Sequence, residues 1–249
     1  MVGPRTVQLL ASAVTAAGMV ATPLNAQGGV ARRLLSSVVV GGLFATTTSA
    51  TVSRWGSVRS LLAATSTAVG TTWVEHVGTR TGRPFGAYRY TDALRPQVAG
   101  VPAIVPLAWF AMAVPARETA HAALGDRSNP LTRVAGGAAA LTAWDLFLDP
   151  QMVGEGYWRW TRRGVYRGIP LSNFVGWFAS SLGVMTLLEV LLPAEEPAAD
   201  LVAEYGFMAA METVGFAAYF RDRVVAVAGG AAMVPVAAVA AIRLLGRRM

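Results

Sequence analysis

The chain has 249 residues, of which 54% are hydrophobic and 14% are charged, and its mean hydropathy is +0.46. Soluble domains carry about 25% charged residues, so this composition predicts an integral membrane protein. The net charge is +7 and every basic residue is arginine. These arginines fall mostly in short loops, so we interpret them as a signal of membrane topology and expect no nucleic-acid partner.

Missing residue types exclude several classes of protein. The absence of lysine excludes a retinal Schiff base, a P-loop and a lysine nucleophile. The absence of cysteine excludes disulfides and iron–sulfur clusters, and two histidines are too few for a His-rich di-iron enzyme. No glycine-rich dinucleotide fingerprint follows a predicted strand. The sequence therefore predicts a function that requires no metal and no cofactor.

Apolar runs long enough to cross a bilayer recur along the whole chain. A span needs about 20 mostly apolar residues. We interpret the first run as a span rather than a signal peptide, because the small-residue site that follows it is poor. The prediction is an all-α polytopic bundle of about eight spans, with seven as the alternative, forming one integral membrane domain over residues 1–249. The spans are expected at 7–22, 34–53, 58–77, 98–116, 131–149, 170–192, 199–220 and 224–245.

The loops that connect these spans alternate between two membrane faces. The first, third, fifth and seventh loops hold more than half of the arginines. The positive-inside rule therefore favours these odd loops as the cytoplasmic side of a bacterial-type cytoplasmic membrane. In either orientation the loops at 78–97 and 150–168 share one face. Glu75 leads into the first loop, and Asp145 and Asp149 lead into the second, so the three carboxylates are expected at similar depth.

The two aspartates form a candidate acid pair. Asp145 and Asp149 are four residues apart and face the same way on a helix. Close carboxyl groups in a medium of low dielectric resist double ionisation, so one of them should stay protonated and able to donate a proton. The alternative is a helix-end pair neutralised by loop arginines, with Pro150 expected to end the helix. Glu75 could act as a base, a proton relay or a structural partner of an arginine.

Aromatic residues and prolines suggest a cavity beside these acids. Tyr88 and Tyr90 would point the same way in an extended segment, although aromatic residues also populate membrane interfaces. Pro102 and Pro106 are expected to kink the fourth span and open space next to Trp109.

The seventh span contains a further carboxylate. Glu212 lies near the middle of this span, and Glu204 lies eight residues earlier on roughly the same face. A glutamate at that depth is either a site residue or a buried hydrogen-bond partner. Glu189, near the far end of the sixth span, is expected at the membrane interface.

Four segments together carry a similarity to one known family. They are TGRPFGAYRYTDAL (81–94), GVPAIVPLAW (100–109), WDLFLDPQMVGEGYWRW (144–160) and GIPLSNFVGW (168–177). These segments resemble the membrane carotenoid biosynthesis proteins known as carotenoid 1,2-hydratases, and the similarity extends over about residues 73–180. The resemblance implies a multi-span protein that adds water to the terminal C1=C2 double bond of an acyclic (ψ) carotenoid, giving a tertiary alcohol. Its expected partners are an acyclic C40 or C50 carotenoid, water and membrane lipid.

The chemistry of that reaction assigns hypothetical roles to these residues. Hydration begins with proton transfer to C2, which leaves a tertiary cation at C1. Asp149 or Asp145 would be the acid, and Glu75 or the other aspartate would take a proton from water. Asn173 could hold that water. Aromatic faces stabilise a nearby cation, and the rings expected to line the substrate pocket are Trp144, Trp109, Tyr88, Tyr90, Trp158 and Trp177.

Three other functions remain open at this stage. In a carotenoid cyclase the same cation is captured by an internal double bond instead of water. A carotenoid- or lipid-binding membrane protein would hold the pigment unchanged. A transporter is disfavoured, because the acids cluster toward one face whereas carriers bind at the midplane between repeats; Glu212 is the residue that fits a carrier.

Overall fold

The computed structural model describes residues 3–247, and over this range the chain is a bundle of eight long helices. This confirms the predicted all-α membrane fold. Four short strands lie in the connections: β1 (Tyr88–Tyr90), β2 (Gln97–Val98), β3 (Val101–Pro102) and β4 (Trp158–Trp160). The helices are α1 (Pro4–Ala21), α2 (Val30–Trp55), α3 (Ser57–Thr81), α4 (Ile104–Leu124), α5 (Pro130–Gly154), α6 (Leu171–Leu191), α7 (Ala199–Val214) and α8 (Arg223–Gly246).

Four helices are long and apolar enough to cross a bilayer, so the chain is an integral membrane protein. They are α1 with the turn that follows it, α2, α6 and α8. Helix α7 has only 16 residues, and the hydropathy of the longer α3, α4 and α5 is lowered by polar residues. In α4, for example, Arg117 and Glu118 are 1% and 2% exposed and form an ion pair. For α3, α4, α5 and α7 a full crossing stays a prediction.

The loops alternate between the two ends of the bundle. At one end, which we call the strand end because it holds β1 and β4, the first loop contacts the fifth: Gln27 Nε2 donates to the Gly154 carbonyl at 2.8 Å. Arg167 of the fifth loop also donates to Asp222 of the seventh, at 2.5 Å. At the opposite end Trp55 Nε1 donates to the Pro193 carbonyl at 2.9 Å. The alternation of loops therefore follows the prediction.

A two-stranded antiparallel sheet joins the third and fifth loops. Strand β1 pairs with β4, so that Tyr88 lies opposite Trp160 and Tyr90 lies opposite Trp158. The two aromatic loops thus lie on one face, as predicted. Alternate residues of each strand point the same way, which directs all four rings to the same side of this small sheet.

The prediction that Pro150 ends its helix is wrong. Helix α5 continues through Pro150 to Gly154. Proline lacks the N–H that would bond to the carbonyl four residues earlier, and here the Tyr166 hydroxyl donates to that Leu146 carbonyl at 2.8 Å. A side chain from the loop thus replaces the missing hydrogen bond.

The predicted kink at Pro102 and Pro106 is also wrong. Pro102 lies in β3, and α4 begins only at Ile104. Pro106 therefore occupies the first turn of the helix, where a backbone N–H needs no helical partner. The fourth helix also ends later than predicted, at Leu124.

Charged side chains cross-link the helices near the opposite end. Glu189, expected at the interface, accepts from Arg117 Nη2 at 3.0 Å and pairs with Arg133. Arg117 also donates to Glu118 at 2.8 Å, and Glu118 accepts from the Ala198 backbone N–H at 2.9 Å. This network ties α4, α5, α6 and the start of α7 together, away from the candidate site.

Candidate active site

Two buried aspartates share one amide near the strand end. Asp145 and Asp149 lie one turn apart on α5 and are 0% and 1% exposed. Asn173, on the first turn of α6, donates from Nδ2 to Asp145 Oδ2 and to Asp149 Oδ2, both at 2.7 Å. One side-chain amide therefore bridges the two acids.

The two aspartates differ in their other hydrogen bonds and in their access to a cavity. Asp149 also accepts from Trp158 Nε1 at 2.5 Å and lines an internal cavity. Asp145 does not line that cavity, and its Oδ1 is buried without a hydrogen-bond partner among residues 3–247. Asp149 is thus the member of the pair that a ligand can reach, and Asp145 stands behind it.

Glu75 on α3 is held by three donors. The Tyr88 hydroxyl and the Tyr90 hydroxyl both donate to Oε2, the latter at 2.8 Å, and Trp109 Nε1 donates to Oε1 at 3.2 Å. The extended geometry of β1 is what aims both tyrosines at one oxygen. Glu75 is therefore a fixed acceptor in the wall of the same cavity.

The two tyrosines are permanent hydrogen-bond donors. Burial raises the pKa of the Tyr88 hydroxyl, and the negative charge of Glu75 raises it further. The same two causes, in the same order, raise the pKa of Tyr90 well above its usual value. Both hydroxyls consequently keep their protons at physiological pH.

Tryptophans close the cavity on two sides. The rings of Trp109 and Trp177 stack with centroids 4.0 Å apart and planes 9° from parallel. Trp144 meets Trp177 edge to face at 6.3 Å. Trp158 meets Tyr90 edge to face, with centroids 5.7 Å apart. The aromatic groups thus present both faces and edges to the space between Glu75 and Asp149.

The cavity itself has a volume of about 160 Å³. A single water needs only about 10–15 Å³ on the same measure, so the space holds a small apolar group together with water. Most of its wall is apolar, and the carboxyl groups that line it are Glu75, Asp149 and Glu212. Asp149 approaches from α5 and Glu75 from α3.

The structure brings together the residues that the sequence singled out. Of the predicted catalytic and substrate-binding residues, only Asp145 lies outside the cavity wall, directly behind Asp149. The predicted residues that line the cavity are Glu75, Tyr88, Tyr90, Trp109, Trp144, Asp149, Trp158, Asn173 and Trp177. Their catalytic and binding roles stay predictions. Among residues 3–247, no three His, Asp or Glu side chains are placed to share a metal ion.

Other lining residues were not predicted. Trp160 lies two residues after Trp158 and points the same way, so the period of a strand could have identified it. Met19, Val40 and Met208 come from helices that carry no motif, and no local pattern marks them.

The seventh helix places its two glutamates differently. Glu212 lines the cavity and has no hydrogen-bond partner among residues 3–247. Glu204 instead accepts from the Thr47 hydroxyl at 3.0 Å. Glu212 thus fits the site alternative, whereas Glu204 fits the alternative of a buried hydrogen-bond partner.

Comparison with known proteins identifies the family. Over 118 residues the chain is 33% identical to bisanhydrobacterioruberin hydratase from Haloarcula japonica. The matched segment covers 47% of this chain and 40% of that hydratase. No solved structure matches the chain significantly. A family model described as carotenoid biosynthesis protein matches residues 33–245. The chain therefore belongs to the carotenoid biosynthesis protein family.

Proposed function

We propose that this protein is a carotenoid hydratase that adds water across the terminal C1=C2 double bond of an acyclic (ψ) carotenoid end. The observation that carries the proposal is an apolar cavity with a bridged acid pair on one wall and a fixed carboxylate on another. The relative from Haloarcula japonica, whose name is that of a hydratase, supports the same reaction class.

Asp149 is the proposed proton donor. Two carboxyl groups that share one amide in a buried setting resist carrying two charges, so the pair retains a proton. Asp149 faces the cavity and can deliver that proton to C2 of the alkene, which forms the new C–H bond and leaves a tertiary cation at C1. Asp145 acts through its neighbour by keeping the proton on the pair.

The aromatic wall stabilises the cation. A desolvated cation over an aromatic face gains up to about 2 kcal/mol. Trp109 and Trp177 are stacked and Trp144 meets Trp177 edge to face, so these rings are held in place before the charge develops. Such preorganised groups cost no rearrangement during the reaction.

Glu75 is the proposed base for the attacking water. Three donors hold its carboxyl group in a fixed position and partly offset the cost of burying its charge, which suits it to accept a proton. Water forms the C1–O bond and gives one proton to Glu75, and that proton returns to the aspartate pair between turnovers. The sum is one alkene plus one water giving one tertiary alcohol.

Three conservative variants test these roles. Expressed in a bacterium that accumulates an acyclic carotenoid, the wild-type chain should yield pigment heavier by one water per hydrated end. Asp149→Asn and Glu75→Gln should each lower product formation at least about a hundredfold, the lower range for general acid–base catalysis. Asp145→Asn should also reduce it, because the pair loses its shared proton.

Asp126→Asn is the matched control, since Asp126 is exposed in the turn between α4 and α5 at the opposite end of the bundle. Full activity in all three site variants would refute the assignment. A product of unchanged mass with a ring would indicate a cyclase, and unchanged bound pigment would indicate a binding protein.

A further inference from the structure

The cavity that holds the candidate site continues into a second arm. This outer arm leads away from Glu75 and Asp149 toward α1, α2 and α7, and its wall includes Met19, Val20, Val40, Met211, Val214 and Tyr219. Glu212 is the carboxyl group on this arm. The other lining residues on this side are apolar apart from Thr22, Ser36 and the hydroxyl of Tyr219, so the outer arm suits a largely hydrocarbon ligand.

The outer arm reaches the side of the bundle. Val20 on α1 is 56% exposed, Val214 at the end of α7 is 56% exposed, and Tyr219 in the next turn is 59% exposed, although all three line the cavity. Residues that both line a cavity and face outward mark its mouth. Because the protein is embedded in a membrane, apolar side chains exposed on its flank face lipid.

Helix packing leaves this flank open. Helix α1 packs against α2, whereas α7 packs against α8 and α4. Gln8 of α1 donates to Asp200 of α7 at 2.8 Å near the opposite end, so the two helices separate only toward the mouth. After Val214 the chain forms a π-helical turn, Gly215–Tyr219, in which the Phe220 N–H donates to the Gly215 carbonyl at 3.0 Å. Turns of this type occur often at functional sites.

Fixed contacts border the mouth toward the strand end. The Arg32 guanidinium lies over the Phe220 ring, 5.6 Å from its centroid, and pairs with Glu155. Glu155 also accepts from the Gly28 N–H at 2.9 Å, which ties the first loop to the fifth. Because these contacts close the mouth on the side toward the strand end, the mouth opens sideways into the bilayer.

The geometry points to a lateral portal between α1 and the turn after α7, through which a polyene enters from the bilayer and keeps its tail in lipid. This inference rests on the proposed function for the identity of the ligand. A long, rigid polyene cannot fit within about 160 Å³, so a ligand whose end lies between Asp149 and Glu75 must extend out of the protein. A lateral exit leaves that apolar tail in hydrocarbon, at no cost of transfer to water.

The absence of cysteine from the chain makes the portal directly testable. Single variants Val20→Cys and Val214→Cys each carry one reactive thiol at the mouth. Val227→Cys is the matched control, because Val227 is 70% exposed on α8 and does not line the cavity. Each purified variant in lipid vesicles is treated with a bulky aromatic maleimide or with a reagent that adds only a methylthio group. Lycopene-loaded vesicles then supply the polyene, and bound pigment and hydrated product are both measured over time.

The portal predicts that the bulky adduct slows pigment loading roughly tenfold or more at Val20→Cys and Val214→Cys. The bulky adduct at Val227→Cys should leave loading within about twofold of the untreated protein, and the methylthio adduct at the mouth positions should slow loading less than the bulky adduct does. Unhindered loading with the bulky adduct at both mouth positions would overturn the portal. If bulky adducts at the mouth block loading but even the untreated protein forms no hydrated product, the portal is supported and the proposed hydratase activity is refuted.

Discussion

At the scale of single residues, the candidate site depends on how one amide divides its two hydrogens. Asn173 gives one N–H to each aspartate, but only Asp149 lines the cavity. The spacing of four residues predicted that the acids share a face. It could not rank them, because the cavity wall that Asp149 joins is assembled from several helices distant in the sequence.

Asn173→Ala should therefore impair the reaction and the fold together. Asp145 would be left without a donor, which costs about 1–3 kcal/mol for a buried polar group, whereas Asp149 would keep its hydrogen bond from Trp158. We expect a lower melting temperature in detergent micelles and a loss of hydration per folded molecule. Ser181→Ala on the same helix is the control, because its buried hydroxyl has no partner to lose among residues 3–247. Equal stability and activity in the two variants would contradict the bridging role.

At the scale of elements, helix identity followed from composition, whereas helix ends and strand pairing did not. The spacing of apolar runs predicted eight helices. Two prolines led to wrong predictions about the helices. The hydrogen bond that Pro150 cannot make is replaced by one from Tyr166, and Pro106 lies in a first turn, where no such bond is needed. The pairing of β1 with β4 joins residues about 70 positions apart, which no local pattern encodes.

Two glycines on α6 test how closely this helix must approach the loop that carries Phe85. A Cβ on Gly176 would lie 2.8 Å from the Pro84 carbonyl and 2.9 Å from the Phe85 ring, whereas a Cβ on Gly183 would meet nothing within 4 Å. Gly176→Ala should lower the free energy of unfolding by about 1–3 kcal/mol through overpacking. Gly183→Ala should raise it by up to about 1 kcal/mol, because alanine is the better helix former. Denaturant unfolding in micelles measures both, and a similar effect at the two positions would contradict the close contact.

At the scale of the whole molecule, the buried carboxyl groups fall into two kinds. Arginines pair with Glu118 and Glu189 near the opposite end and with Glu155 near the strand end. At the strand end Glu75, Asp145 and Asp149 are instead surrounded by tyrosine, tryptophan and asparagine donors. Paired charges are a structural arrangement, whereas carboxyl groups without basic partners in an apolar cavity are suited to proton transfer. The sequence revealed the positions of these acids but not most of their partners, because the arginines that pair with Glu189 and the donors to Glu75 and Asp145 lie on other elements. The orientation of the strand end toward the cytoplasm stays a prediction from the arginine distribution.

The most direct measurement of the central claim is isotopic. The purified protein in vesicles is supplied with an acyclic carotenoid in water enriched in heavy oxygen, and in a second reaction in deuterium oxide. Protonation followed by water capture predicts one heavy oxygen at C1 and one deuterium at C2 in each hydrated end, read by mass spectrometry of the pigment. A pigment that gains deuterium without oxygen, or neither label, would contradict the account.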